Sequence, residues 1–163
     1  MILLPLLILA AAQRADHSTD RLPPADPLPL SSDGAAAEVL ATVQRMLAGL
    51  AARDPAAILA DVRADGGATA VTADGVHHYG WAEFAARIKP GSQRYEERLS
   101  DPAVEVDDNI AMVWSPYQFR IDGRVDHCGT DHFDLVREGG RWRVLNVTWT
   151  QRTDCEPPSS SRP

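Results

Sequence analysis

Residues 126–152, DHCGTDHFDLVREGGRWRVLNVTWTQR, contain the longest alternation of apolar and polar side chains in the chain. Alternation of this kind indicates half-buried β-strands, because successive side chains of a strand point to opposite faces of its sheet. The alternation breaks at Glu138-Gly139-Gly140, where two glycines favour a turn. We therefore expect two long antiparallel strands in a hairpin, with the rest of the chain covering one of its faces.

Helical periodicity precedes these strands. Residues 35–52 repeat apolar side chains at spacings of three and four, which predicts an amphipathic helix. Asp54-Pro55 is typical of a helix start, because aspartate is a good N-cap and proline fits the first helical position. We expect this second, shorter helix to end at Gly66-Gly67.

A short hairpin and a third helix follow. Residues 68–72 and 76–79 flank Asp74-Gly75, a dipeptide typical of tight hairpin turns. Residues 81–88 then carry their apolar side chains on one side of a helical wheel, which predicts the third helix.

The remaining chain is strand-like, in four segments: residues 95–106, 110–121, 124–137 and 141–153. Pro102 interrupts the first segment, so we expect an edge strand or a bulged strand there, because proline cannot donate to a sheet ladder. Helices followed by an antiparallel meander predict the α+β class, with three N-terminal helices packed on a mostly antiparallel sheet.

Length and charge narrow the class of protein. A chain of 163 residues fits one domain with a single hydrophobic core. Its formal net charge of −7 argues against nucleic acid as a partner, because binding to phosphates requires clustered lysine and arginine.

The amino-terminal residues 1–12, MILLPLLILAAA, are apolar and end in Ala10-Ala11-Ala12. Small residues in this position match the cleavage site of a secretory signal peptide. The run is too short for a bilayer, which requires about 20 apolar residues. We expect a periplasmic or secreted protein without membrane contact after cleavage; the alternative is an apolar start that stays disordered or becomes buried.

The domain organisation follows from proline content. Residues 13–34 contain four prolines among polar residues, which favours an extended linker. Residues 35–155 form the expected folded domain, and residues 156–163, rich in proline and serine, form an expected disordered tail.

Strand register predicts the two faces of the sheet. A tight turn at Asp122-Gly123 and a three-residue loop at residues 138–140 would collect the large apolar side chains on one face, the predicted core face. Its members are Ile110, Met112, Trp114, Phe133, Leu135, Leu145, Val147 and Trp149. The opposite face mixes polar and apolar residues, and is either half-exposed or a contact surface of a homodimer.

Asp131 and His127 are the polar residues predicted on the core face. Asp131 would lie beside Trp114, where apolar walls disfavour the charged carboxylate and raise its pKa. Such an acid can donate a hydrogen bond or transfer a proton at neutral pH. The alternatives are a hydrated residue at the rim or a carboxylate paired with an arginine.

These positions predict a pocket for a small hydrophobic or aromatic ligand. Asp131 and His127 would orient a polar group of the ligand. The expected walls are Met46, Trp114, Phe133, Leu145, Val147 and Trp149.

The chain resembles the nuclear-transport-factor-2-like superfamily over about residues 35–152. The resemblance rests on the helix order, the late meander and a G-x-W-x-V hairpin. The motifs SPYQF, DG, HCG and WRVLNVTWTQRTDC also resemble its SnoaL-like and "putative lumazine-binding" branch. The resemblance implies a cone-shaped, cystatin-like fold, in which a curved sheet wraps a long first helix and leaves a pocket between them.

The ketosteroid isomerases of this superfamily are a more distant comparison. Asp131, followed by Phe133 and Leu135, resembles their oxyanion-hole aspartate. Their catalytic tyrosine and general base fall near Met46 and Thr72 here, so the partners for that chemistry are missing. The resemblance therefore implies a pocket with one acid.

Other chemistries have weaker support. His127 and Asp131 are four residues apart on one strand, roughly 13 Å, which is too far to share a metal ion. No cofactor is implied. Glu96 and Glu97 belong to an acidic run that we interpret as a solvated edge. Cys128 and Cys155 are expected to form a disulfide in an exported chain, with free thiols or an intermolecular bridge as the alternatives.

Three hypotheses of function result. The first is an exported domain that binds a small molecule in an apolar pocket without established catalysis. The second is an enzyme of the isomerase, cyclase or hydrolase kind that uses Asp131 as its acid–base residue. The third is an interaction module that dimerises through the mixed face of the sheet.

Overall fold

The computed structural model describes residues 33–155. The predicted signal peptide, most of the linker and the tail lie outside these residues. The described elements, in chain order, are α1 (Asp33–Ala52), α2 (Pro55–Ala60), β1 (Val62–Thr72), β2 (Gly75–Gly80), α3 (Trp81–Arg87), β3 (Tyr95–Leu99), β4 (Ala103–Asp107), β5 (Ile110–Ile121), β6 (Arg124–Glu138) and β7 (Arg141–Thr150).

The strands form one sheet in the order β2-β1-β7-β6-β5-β3, with β4 also paired to β5. Only β1 and β7 run parallel to each other, and the other pairs are antiparallel. The predicted α+β class with a mostly antiparallel sheet is confirmed. Three helices are present in the described part, but α2 has 6 residues, α3 has 7, and α3 follows the hairpin of β1 and β2.

Helix α1 supplies the largest helical share of the core. Its apolar stripe, including Val39, Val43 and Met46, is buried against the sheet. By length and hydropathy, residues 34–52 would also meet the criteria for a membrane-crossing helix, which is weak evidence because a core helix has the same composition. Asp54 caps α2 as predicted, since its carboxylate accepts hydrogen bonds from the amides of Ala56 and Ala57.

The Gly66-Gly67 pair does not end a helix, contrary to expectation. Helix α2 ends at Ala60, and both glycines lie inside β1, where a bulge interrupts the pairing with β7. A Cβ atom on Gly66 would lie 1.7 Å from the carbonyl oxygen of Leu145. The glycine is therefore required by close contact between strands, because no side chain fits there.

The predicted faces are wrong for β5. The turn at Asp122-Gly123 is tight, as expected, with Ile121 opposite Arg124. The register shifts after the next pair, Arg120 and Val125. Phe119 then pairs with His127, and Asp126 has no partner residue on β5. This β-bulge exchanges the two faces of β5 relative to β6, because side chains alternate with a period of two.

The consequence is that Ile110, Met112 and Trp114 point away from α1. Trp114 is opposite His132 in the ladder, not opposite Asp131, and it is 51% exposed. The core face of β5 is instead made of the alternate residues, all buried: Ala111, Val113, Ser115, Tyr117 and Phe119.

Two features correct the prediction for β7. The turn after β6 has two residues, Gly139 and Gly140, instead of the expected three, because Glu138 pairs with Arg141, and a bulge follows. Asp134 pairs with Asn146, whereas Leu135 pairs with Val144, so Leu145 is the extra residue. Leu145 leaves the core face, and its carbonyl oxygen accepts a hydrogen bond of 2.9 Å from the indole of Trp81. Val147 and Trp149 keep their predicted positions beyond the bulge.

The disulfide Cys128–Cys155 is present, with a Cα–Cα distance of 5.8 Å. Cys128 pairs with Arg152 through two backbone hydrogen bonds of 2.9 Å, which extend the hairpin beyond β7. The chain then turns back after Arg152, and this turn brings Cys155 within bonding distance of Cys128.

We predict that Gly66→Ala lowers the free energy of unfolding by about 3 kcal/mol or more, because the new methyl group displaces the Leu145 carbonyl. Chemical denaturation of the purified protein measures the loss. Gly80→Ala is the matched control, since a Cβ atom at Gly80 meets nothing within 4 Å. Equal stabilities of the two variants would contradict the assignment of close contact.

Candidate functional site

A cavity of about 180 Å³ lies between the helices and the core face of the sheet. Helix α1 contributes Met46, Leu47 and Leu50 to its wall, and the α3 region contributes Phe84 and Ile88. The strands add four apolar side chains: Phe119, Phe133, Val147 and Trp149. The rings of Phe84 and Trp149 meet edge to face at 6.1 Å, which joins the α3 side of the wall to β7.

Five polar residues also line this cavity: Glu97, Tyr117, His127, Asp131 and Gln151. Glu97 comes from β3, where it alternates with Tyr95 and Leu99, both of which pack against the core. The β-strand period therefore directs the Glu97 carboxyl inward. The expectation of a solvated acidic edge is wrong for Glu97.

Asp131 is the most buried carboxyl of the site, with 3% of its surface exposed. Its atom Oδ2 has no hydrogen-bond partner in the described part of the chain. Ser115 is opposite Asp131 but donates its hydroxyl hydrogen to the carbonyl oxygens of Ser100 or Pro116. The carboxyl of Glu97 interacts with that of Asp131, and a hydrogen bond between them contributes to the pKa shifts of both acids.

The two carboxyls retain protons more strongly than ordinary acids. The pKa of Asp131 is raised to about 9, chiefly by burial and then by the charge of Glu97 and the hydrogen bond with it. The pKa of Glu97 is raised to about 7. Burial raises it, and the hydrogen bond from Asp131 offsets part of that rise. At neutral pH this pair therefore holds at least one proton, because two carboxylates in one apolar site repel each other.

Tyr117 borders the pair and stays neutral. Burial raises the pKa of its phenol, and the charges of Asp131 and Glu97 act in the same direction. Its hydroxyl donates a hydrogen bond of 3.0 Å to the carbonyl oxygen of Thr150. This bond holds the end of β7 against β5.

His127 lies among aromatic rings at one end of the cavity. Its ring stacks on Phe119 at 4.8 Å and meets Tyr117 edge to face at 5.8 Å. Its Nδ1 atom is 2.8 Å from Oδ2 of Asp126, the bulge residue. The bulge thus supplies the group that orients the imidazole.

Six of the eight residues predicted for the site come together in this cavity: Met46, His127, Asp131, Phe133, Val147 and Trp149. The other two, Trp114 and Leu145, do not, because the bulges at Asp126 and Leu145 place them on the opposite face. Leu145 lines a different groove there, of about 520 Å³, together with Ile110 and Met112. That groove is larger, but the carboxyls around it, such as half-exposed Asp134 and exposed Glu105, are less buried than Asp131.

Sequence reasoning missed Glu97, Tyr117 and Phe119. The alternation Tyr95-x-Glu97-x-Leu99 was the signal for Glu97, since it puts the carboxyl on the apolar side of a strand. No local signal reveals the face of Tyr117 and Phe119, because the bulge at Asp126 decides it. Within residues 33–155, no group of three or more His, Cys, Asp or Glu side chains comes together as a metal site.

We predict that the free energy of unfolding falls as pH rises from about 5 to 8. The folded state binds the protons of Asp131 and Glu97 more tightly than the unfolded chain, whose carboxyls have ordinary pKa values near 4. Each such proton changes stability by up to about 1.4 kcal/mol per pH unit, in the direction of loss at higher pH. Denaturation at several pH values measures the slope.

Asp131→Asn should stay folded and flatten this decline, because a neutral amide has no charge to bury. Asp134→Asn, at a half-exposed position on the outer side of the same strand, is the control and should keep the wild-type slope. A wild-type stability that rises with pH over this range would show that the pair is ionised and stabilising, contrary to the prediction.

Solved structures of similar shape support the fold. An NTF2-like protein of unknown function from Pseudomonas putida is 18% identical with a TM-score of 0.64, covering 77% of this chain and 99% of that one. A protein with a cystatin-like fold from Nostoc punctiforme is 13% identical with a TM-score of 0.62, covering 77% and 97%. An NTF2-like protein from Silicibacter pomeroyi is 15% identical with a TM-score of 0.60, covering 76% and 100%.

At these identities the likeness concerns the fold alone. No curated protein matches the sequence significantly. The family described as "Putative lumazine-binding" matches residues 35–150, which include both α1 and the whole sheet. The chain therefore belongs to this family, within the NTF2-like superfamily.

Proposed function

We propose that this domain binds a small, mostly apolar molecule in the cavity between α1 and the sheet, as expected for a cone-shaped sheet curved around a long helix. A cavity of about 150 Å³ is enough for benzene in an apolar protein interior. The cavity here, about 180 Å³, therefore suits one ring with a short substituent. Met46, Phe133, Val147 and Trp149 supply walls for such a ring.

The observation that carries this proposal is the unpartnered Oδ2 atom of Asp131 in an apolar cavity. A buried polar atom without a partner costs about 1–3 kcal/mol. A ligand that offers a polar group to Asp131 recovers part of that cost and is oriented by it. His127, at the same cavity, provides a second polar contact.

Export of the domain is part of the proposal. The apolar run of residues 1–12 supports a signal peptide, followed by a linker over residues 13–34, the binding domain over residues 35–155 and a short tail over residues 156–163. The Cys128–Cys155 disulfide favours an oxidising compartment, the periplasm or the exterior, because disulfides persist there.

We predict that benzyl alcohol shifts the methyl resonance of Met46 in a ¹H–¹³C spectrum, because Met46 lines the cavity. Met112, on the opposite face of the sheet, is the internal control and should not shift. Substitution of each methionine by leucine assigns the two signals. Shifts at Met112 alone would move the binding site to the outer groove and overturn the proposal.

Acid–base catalysis is the second candidate function. Its support is that two carboxyls share one apolar cavity and that the pKa of each is raised, chiefly by burial. Such a pair, holding one proton between its members, provides an acid and a base in one site. In this role Glu97 would remove a proton next to a carbonyl group, and protonated Asp131 would donate to the carbonyl oxygen.

For this candidate we predict faster exchange of the α-hydrogens of cyclohexanone in D₂O, a ring that the cavity can hold. Glu97→Gln should reduce the exchange rate about 100-fold, the usual contribution of a positioned base. Proton NMR follows the exchange, and Glu105→Gln on the outer face is the control. Equal rates in wild type and Glu97→Gln would exclude Glu97 as a base.

A homodimer through the outer face of the sheet is a third candidate. Trp114 and Ile110 are 51% and 60% exposed there, and the neighbouring groove is lined by Met112, Val136 and Leu145. Large exposed apolar side chains that share one sheet face favour association of two copies.

We predict that the protein sediments as a dimer and that Trp114→Lys sediments as a monomer. The lysine would place two buried charges near the contact, whereas thermal stability of the monomer should change little because Trp114 lies outside the core. Val76→Lys, at a 70% exposed residue on the edge strand β2, serves as the control and should remain dimeric. A wild-type monomer at high concentration would remove this candidate.

A further inference from the structure

The ionisable side chains that line the inner cavity are two carboxyls, one imidazole and one phenol, from Glu97, Asp131, His127 and Tyr117. Among residues 33–155, no arginine or lysine lines it. Arg53, a cation next to β3, instead lies over the ring of Tyr95, with 4.4 Å between the guanidinium carbon and the ring centroid. The cavity therefore offers negative charge without an internal positive partner.

Aromatic rings reinforce this negative character. Phe84, Tyr117, Phe119, Phe133 and Trp149 all contribute to the wall. The face of an aromatic ring carries partial negative charge, so rings around a carboxyl favour an organic cation. An anionic ligand would meet like charge, and its hydrogen-bond donors would be limited to protonated acids, the imidazole and the amide of Gln151.

The carboxyl pair also lacks the cationic partner that a buried carboxylate normally has. Asp131 is 97% buried, with Oδ2 unpartnered, and its strand neighbour Ser115 is committed to the Ser100 segment. Buried carboxylates are ordinarily paired with a cation or neutralised by a proton. In this chain the proton takes the place of the cation.

We propose that the ligand is a small amine with one ring, and that its ammonium group binds at the Glu97–Asp131 pair while the ring occupies the aromatic part of the cavity. This inference rests on the proposed function, since it names the class of molecule that the cavity binds. The ammonium group supplies up to three donors, which match the acceptor oxygens of two carboxylates.

Binding of such an amine releases a proton. The free pair holds a proton because burial opposes its full ionisation; the ammonium ion favours the ionised pair, so the proton passes to solvent as the complex forms. Affinity for the amine therefore rises with pH until the amine itself loses its charge. A neutral ligand of the same shape needs no proton release and lacks this rise.

Other groups near the pair do not reverse this rise of amine affinity with pH. Tyr117 on β5 remains protonated because its pKa is raised, and its hydroxyl is bonded to the Thr150 carbonyl. His127 on β6 also lines the cavity, and its Nδ1 atom lies 2.8 Å from Oδ2 of Asp126. Arg152, after β7, acts on Tyr117 from outside the cavity lining. Helix α1 and the α3 region line the cavity with apolar side chains only.

The test is isothermal titration of the full domain with benzylamine, benzyl alcohol and benzoate between about pH 6 and 8. These probes share one ring and differ in charge at the polar end. We expect benzylamine to bind about tenfold or more tightly than benzyl alcohol at pH 8, and benzoate to bind most weakly. The advantage of the amine should shrink by up to about tenfold per pH unit towards pH 6, as expected for one released proton.

Isosteric variants test whether the ammonium group binds at the carboxyl pair. Asp131→Asn and Glu97→Gln should remove the advantage of benzylamine and keep the affinity for benzyl alcohol, which reports an intact cavity. Asp134→Asn, on the outer face of the same strand, should behave as wild type. Loss of amine binding in Asp134→Asn would place the amine in the outer acidic groove and overturn the inference.

The remaining outcomes separate this inference from the proposed function. Equal binding of benzylamine and benzyl alcohol at every pH overturns the amine inference and leaves the apolar cavity as the binding site. Failure of all three probes to bind the wild-type protein overturns both. Release of about one proton per bound benzylamine, measured by repeating the titration in buffers of different ionisation enthalpy, supports the inference directly.

Discussion

The pairing of β5 with β6 is the constraint on which the rest of the structure depends. A single extra residue, Asp126, shifts the register after the tight turn, so every side chain of β5 changes face relative to a regular hairpin. Tyr117 and Phe119 enter the core, and Trp114 leaves it. The same residue orients the imidazole of His127, which lies next to it in sequence and lines the cavity. Fold and site are thus decided by one irregularity.

The Glu97–Asp131 pair is the main departure from an ordinary core. Two carboxyls buried together cost stability when ionised, and the described part of the chain provides no arginine or lysine in the cavity to compensate. The fold tolerates them because a proton neutralises the pair at neutral pH, which burial favours. Groups kept in an unfavourable environment of this kind are concentrated at functional sites, and this is why the pair is central to each proposal for the inner cavity.

The end of the chain closes the same cavity. Gln151 lines it, Thr150 accepts the hydrogen bond from Tyr117, and Arg152 forms the bridge to Cys128 that precedes the disulfide. Main-chain hydrogen bonds and the covalent link therefore hold the segment after β7 next to the carboxyl pair. The arrangement makes the cavity wall rigid at the point where its polar groups lie.

The sequence by itself determined the α+β class, the long amphipathic α1, the Asp54-Pro55 helix start and the final hairpin, because each depends on local periodicity or on a local dipeptide signal. It also contained the alternation that turns Glu97 inward. Only the tertiary structure decided the faces of Trp114 and Leu145, the role of Gly66, and the meeting of Glu97 with Asp131. Bulges and contacts between distant strands leave no local periodic signal, since a one-residue shift preserves composition and reverses every face.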